Sequence, residues 1–177
     1  MKKHMRKGFS LTEIIVAITL IGILTVLLTV SLNSYFNNQK LDRCENELRL
    51  MINDFNAYMI DYGNIELEPN DPEFDIKIED IMMEFNRGYS SYEVDIDSIE
   101  ITENSGLKTS IKMHTKVKKD PWGEYYTIEI NTDSSTPQGG TVVVYSSGPD
   151  TISESSNYKN GVMGDDMILV ISPRNVE

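Results

Sequence analysis

Lys7-Gly8-Phe9-Ser10-Leu11-Thr12-Glu13 is the stretch on which the reading of this chain turns. It closes a short basic leader (Lys2, Lys3, Arg6 and Lys7) and opens a long apolar run. From Ile14 to Leu32 there are 19 residues without a charge. As a helix this run spans about 29 Å at roughly 1.5 Å per residue, enough to cross a bilayer. The cations ahead of it keep the N-terminus in the cytoplasm and send the rest outside. An ordinary secretory signal has a shorter apolar core followed by a small-residue cleavage site. Here the run is too long, and nothing like Ala-x-Ala follows it. A plain signal anchor would fit the hydropathy but leaves Glu13 unexplained. A carboxylate at the hydrocarbon edge costs up to about 3 kcal/mol and calls for a partner.

Downstream of Leu32 the sequence turns polar but keeps helical spacing. Leu41, Cys44, Leu48, Met51, Phe55, Tyr58 and Tyr62 follow one another by threes and fours, widened by Ile52 and Met59. Lys40, Asp42, Arg43, Glu45, Glu47, Arg49, Asp54 and Asp61 fall off that stripe, so one face is buried. No proline interrupts the chain before Gly63, a fitting stop. One helix of some fifty residues is expected, with Gly22 as its weak point. Cys44, on the buried stripe, reads as a small apolar filler.

The remainder reads as a globular head. Residues 64–72 form a loop. Asp71-Pro72 would cap a short helix carrying Phe74, Ile78, Ile81, Met82 and Phe85 and ending near Phe85. A strand at 74–78 is the rival, since Phe74, Ile76 and Ile78 also alternate. Period-two alternation then runs through Tyr92, Val94 and Ile96, Ile99 and Ile101, and Ile111 to Val117, with a hairpin signal at Asn104-Ser105-Gly106. A second antiparallel set comprises Tyr126 to Ile130 and Val142 to Tyr145, joined by a Thr132–Gly140 loop. Met167 to Ile171 is a last strand and 172–177 a tail. The fold class is α+β: a long N-terminal helix, membrane-spanning in its first half, packed on an antiparallel sheet.

The totals narrow the function. The chain has 177 residues, 28 acidic against 16 basic, and a net charge of −12. Loss of residues 1–8 would leave 12 basic residues and a net charge of −16. So acidic a surface disfavours nucleic acid and anionic lipid as direct partners. With one cysteine no disulfide can form within the chain, so an exported head must be held by its core or a bound ion. His114 has no recognisable nucleophile or metal-ligand partner and no Gly-rich phosphate loop is present, so a tethered enzyme is the less favoured class.

The N-terminal signature resembles that of type IV pilins and type II secretion pseudopilins: basic leader, Gly8, Phe9 as the new N-terminus, Glu13 as its fifth residue, then the apolar helix. The resemblance implies cleavage between Gly8 and Phe9 by a prepilin peptidase and N-methylation of Phe9. It gives Glu13 a partner, the N-terminal amine of a neighbouring subunit. It divides the chain into a leader (1–8), a membrane and filament-core helix (9–32), its amphipathic continuation (33–63) and a head (64–177). One departure is Val30, where many members carry a proline, so a kink there is not implied.

Lys119-Asp120-Pro121-Trp122-Gly123-Glu124-Tyr125-Tyr126 holds the chain's only tryptophan. Asp first, Pro second and Gly fourth fit a type I turn feeding a strand. The motif also resembles an element of the major type II secretion pseudopilin, and that likeness, with the missing disulfide, points to the secretion branch. A surface pilin for adhesion, motility or DNA uptake is the alternative. In the secretion branch a following acidic loop binds calcium. Here that implies Ser147, Asp150, Val162, Asp165 and Asp166, an oxygen set of carboxylates and carbonyls suited to the ion. A merely solvated acidic loop is the competing reading, and the Ser153–Asn160 insertion alters the spacing. The expected partners are copies of the same chain in a helical filament, minor pseudopilins, the peptidase and the assembly machinery. The expected location is the cytoplasmic membrane first, then a periplasmic or surface fibre.

Overall fold

The computed structural model describes residues 10–63, 65, 67–104, 106–132, 141–151 and 167–171. The chain divides into two compact units, Met1–Lys40 and Leu41–Glu177. Helix α1, Leu11–Tyr62, is continuous over 52 residues, as the proline-free run predicts. It stops at Gly63, whose φ of +88° is open to glycine at little cost. In the first unit the apolar side chains from Ile14 to Leu32 are exposed. A continuous apolar surface of this length suits lipid or other helices.

The second unit has its own core. The later part of α1 contributes Cys44, Leu48, Met51, Phe55 and Tyr58. Helix α2, Phe74–Gly88, adds Phe74, Ile78, Met82 and Phe85. The rings of Phe55 and Phe85 stack at 4.2 Å and join the two helices. Strands β1 (Val94–Asn104), β2 (Leu107–Lys119), β3 (Tyr125–Asn131), β4 (Val142–Ser146) and β5 (Met167–Ile171) form one antiparallel sheet in the order β1-β2-β3-β4-β5. Ile111, Met113, Tyr126, Ile128, Ile130, Val142 and Val144 face the helices. Ile111 lies opposite Ile130 and Met113 opposite Ile128, so the two strand sets expected from the alternation are one meander.

Several local expectations change. Leu41 and Tyr62, at the ends of the apolar stripe, are exposed, whereas Glu47, read as off it, is buried. The α2 segment is a helix and not the rival strand, and it runs on to Gly88. Its N-cap is Glu73, without a side-chain cap bond; Asp71 instead accepts the Glu73 N–H at 2.8 Å in a turn before the helix. Ile65 and Leu67, within the expected loop, are buried in the core. The β1–β2 hairpin forms where expected, with Asn104 opposite Leu107 and Gly106 at φ +82°. Ser105, residues 133–140 and the 172–177 tail lie outside the described residues.

Candidate functional site

The start of α1 is locally encoded. The Ser10 hydroxyl accepts the Glu13 N–H at 3.2 Å, and Glu13 Oε2 accepts the Ser10 N–H at 2.8 Å. This is a reciprocal capping box, Ser-x-x-Glu, which satisfies two donors that a helix start leaves without partners. Glu13 also sits in the first turn, where the helix dipole favours a negative charge. Its cost at the membrane edge is thus met in part within the chain. Oε1 accepts no hydrogen bond among the described residues and is available to a further donor.

The apolar span after Glu13 is long and apolar enough to cross a membrane. Its three threonines each return a hydroxyl to the carbonyl one turn back: Thr19 to Ile15, Thr25 to Ile21 and Thr29 to Thr25, each at 2.8 Å. In lipid every polar group must be satisfied internally, and these are. Tyr35 and Phe36 follow, exposed and edge-to-face at 6.0 Å, where an aromatic belt would meet the headgroups.

In the head a buried carboxylate fixes α1 to the sheet. Glu47 Oε1 accepts Arg43 Nε at 3.0 Å and Lys118 Nζ at 2.8 Å, while Oε2 accepts the Tyr126 hydroxyl at 2.5 Å. Burial pushes the Glu47 carboxyl upward, but Lys118, Tyr126 and Arg43 together hold it below the usual carboxylate range. Burial and the bonded carboxylate raise the Tyr126 phenol far above its ordinary range. Cys44 beside them is fully buried, and burial raises its thiol to about 11, so it stays protonated and inert.

The Asp-Pro-Trp-Gly element is the turn between β2 and β3. Asp120 Oδ1 accepts the N–H groups of Trp122, Gly123 and Glu124 at 2.8–3.0 Å. Gly123 N–H also reaches the Asp120 carbonyl at 3.2 Å, closing the expected turn. Asp120 Oδ2 accepts the Ser146 hydroxyl at 2.6 Å, and Ser146 Oγ accepts the Gly148 N–H at 3.2 Å. One carboxylate thus ties this turn to the end of β4 and the start of the acidic loop. Trp122 packs against the core beside it.

Of the residues expected to function, Gly8 and Phe9 lie outside the described residues, and so do Val162, Asp165 and Asp166. Ser147 and Asp150 lie at the turn after β4, where Gly148 (φ +63°) and Thr151 (φ +59°) curl the backbone. Asp150 is exposed. Among the described residues no three of His, Cys, Asp or Glu converge on one point. His114 sits on β2 with its ring nitrogen 3.1 Å from Thr127 Oγ1. Burial, then the nearby Lys112, lowers its pKa.

Sequence reading missed two contributors. Ser10 was legible, since Ser-x-x-Glu before an apolar run is a helix-start signal. The Glu47–Tyr126 bond joins residues 79 apart, and no local pattern announces it.

Residues 3–29 match the model of the prokaryotic N-terminal methylation motif. The motif is typical of type IV pilins and pseudopilins, supports a type IV pilin-like protein and points towards a structural subunit. It implies processing by a prepilin peptidase and assembly into a pilus-like filament, and with the apolar helix it fits membrane anchoring before assembly. No curated protein and no solved structure matches the chain.

Proposed function

We propose that this chain is a structural subunit of a type II secretion pseudopilus. It waits in the cytoplasmic membrane, is cut between Gly8 and Phe9, is N-methylated at Phe9, and joins a helical fibre used in protein export. The observation that carries this reading is the capped, acidic start of an exposed apolar helix directly after the cleavage motif. Phe9 to Leu32 buries against neighbours in the fibre, with the head outside the cytoplasm. Glu13 Oε1, the oxygen not taken by Ser10, receives the amine of an adjacent subunit and sets the axial register. Homotypic contacts dominate, and minor pseudopilins and the export machinery are the other partners. The Asp120–Gly123 turn and the absence of a disulfide favour the secretion branch over a surface pilus.

Immunogold labelling of intact and permeabilised cells with antibody to residues 64–177 tests the branch. Label confined to the envelope supports a pseudopilus; long labelled external filaments make the chain a surface pilin. The acidic loop belongs to the same proposal. Ser147 and Val162 carbonyls with the Asp150, Asp165 and Asp166 carboxylates would hold calcium, whose charge would draw together carboxylates that otherwise repel. Asp165→Ala and Asp166→Ala are expected to lower the melting temperature of the head only with calcium present. An equal drop with chelator would remove the ion from the account.

A further inference from the structure

We infer that the exposed face of Tyr62, flanked by the Asp61 and Glu84 carboxylates, is a binding site for a guanidinium group, carried as an arginine side chain on a basic partner protein. The inference does not rest on the filament reading and assigns the head a ligand of its own. The site lies where α1 and α2 end. Tyr62 is 54% exposed, Tyr58 is buried and Tyr89 is half-buried. Tyr58 stacks on one face of Tyr62, 4.8 Å away at 15°. Tyr89 stands nearly perpendicular to both, 5.4 Å from Tyr58 and 5.9 Å from Tyr62. Three ring centres so spaced form a near-equilateral triangle. Tyr89 therefore flanks the stacked pair, and neither ring covers the second face of Tyr62.

The electrostatics of the site favour a cation. Asp61 accepts the Tyr89 hydroxyl at 2.6 Å. Glu84 beside Tyr62 raises its phenol. A phenol held beside a carboxylate keeps its proton while its ring gains electron density, which strengthens the pull on a cation over the face. Both carboxylates are exposed, and neither forms an ion pair among the described residues. Arg87, one turn beyond Glu84 on α2, forms no ion pair among them either. Elsewhere the chain supplies its own cations. Lys108, Lys112, Lys118 and Lys119 lie over Phe74, Tyr145, Tyr92 and Tyr125, at 4.5–5.9 Å from the ring centres. Among the described residues no cation lies over Tyr58, Tyr62 or Tyr89. A guanidinium suits the site better than an ammonium, because its plane stacks on a ring while its edge forks to a carboxylate. A second copy is a poor source, since chains with a net charge of −12 repel. Its Arg43 and Arg49 are also engaged, with Glu47 and Glu45.

The test uses the full chain in detergent with ring-labelled tyrosine, read by NMR. Blocked Gly-Arg-Gly, Gly-Lys-Gly and Gly-Gln-Gly peptides are titrated over the millimolar range. The expected result is saturable movement of the Tyr62 and Tyr89 ring signals with the arginine peptide, and an unmoved Tyr35 signal. Glu84→Gln and Tyr62→Leu should each weaken binding roughly threefold or more, the latter read at Tyr89. Binding should also weaken at about 1 M salt, where the screening length falls to about 3 Å. The unfolding midpoint from Trp122 fluorescence checks both variants; should Tyr62→Leu lower it, Glu84→Gln carries the comparison. No saturable shift, an equal response to the lysine peptide, or undiminished binding by the variants would overturn the inference. So would movement of the same signals on raising the chain's own concentration without peptide, which would give the site to a second copy. None of these results bears on cleavage after Gly8 or on fibre formation, so the filament reading stands or falls separately.

Discussion

At the residue scale the head depends on a few buried polar groups, each with a definite sign. Glu47→Ala would strand the buried Tyr126 hydroxyl, while Arg43 and Lys118 are exposed enough to regain water. The expected cost is about 1–3 kcal/mol, measured by denaturant unfolding of residues 41–177. Because the folded pKa of Glu47 lies below its ordinary 4.5, its contribution is complete above that pH and lost as pH falls through the folded value. Glu47→Gln should therefore flatten the acid limb of the stability profile below about pH 4.5. His114, held below 6.5, favours the neutral ring. Wild type should lose stability relative to His114→Asn as pH falls from 6.5 towards the folded value. Glu129 works in the opposite sense, since burial raises its carboxyl, so the comparison with each single variant is the informative one. These residues mark the limit of sequence reading. Periodicity placed Leu48 and Phe55 inside but also placed Glu47 outside, because a pattern of apolar spacing has no means of registering a carboxylate satisfied by Lys118 and Tyr126 from distant strands.

At the element scale the strands and helices were legible because their patterns are strong and local. The capped start, the proline-free span and the period-two runs each specify an element by short-range chemistry. The antiparallel sheet was legible as a class, and the Asp120–Gly123 turn as a turn feeding a strand; the register in which that turn pairs β2 with β3 is set by contacts distant in sequence. Strand β2 also acts as an electrostatic spine. It carries five lysines and no acid, whereas residues 61–103 carry fourteen acids and two bases. Lys108 pairs with Asp75 of α2, Lys116 with Glu93 just before β1, and Lys118 with Glu47 of α1. Phe55→Ala, which removes the stacked ring between α1 and α2, is expected to cost about 3–5 kcal/mol. Asp120→Ala releases three backbone N–H groups and the Ser146 hydroxyl. Faster amide exchange at Trp122, Gly123 and Glu124, with a lower melting temperature, is the expected result; unchanged exchange would show that the turn holds without its carboxylate.

At the scale of the whole molecule one helix runs through two units of different chemistry. Its first unit presents apolar side chains, with the Thr19, Thr25 and Thr29 hydroxyls returned to the backbone, and its second unit closes a core against a sheet. The candidate site was legible to the extent that it is a linear motif: Gly8, Phe9 and Glu13 are neighbours in sequence, and Ser10 completes the cap. Of the acidic loop only the turn holding Ser147 and Asp150 falls within the described residues, and the remaining expected residues lie outside them. Glu13→Ala should leave cleavage intact and abolish fibre assembly, measured as processed chain in the membrane with no sheared fibre. Normal fibres from that variant would remove Glu13 from the register. The central claim, that this is a processed subunit built to leave the membrane for a fibre, is tested most directly by the intact mass and N-terminal fragment spectrum of the chain extracted from its native envelope. The account predicts a chain beginning at Phe9 with one added methyl group on its amine. A chain that retains Met1 to Gly8, or one cut beyond Leu32 with the apolar span removed, would contradict it.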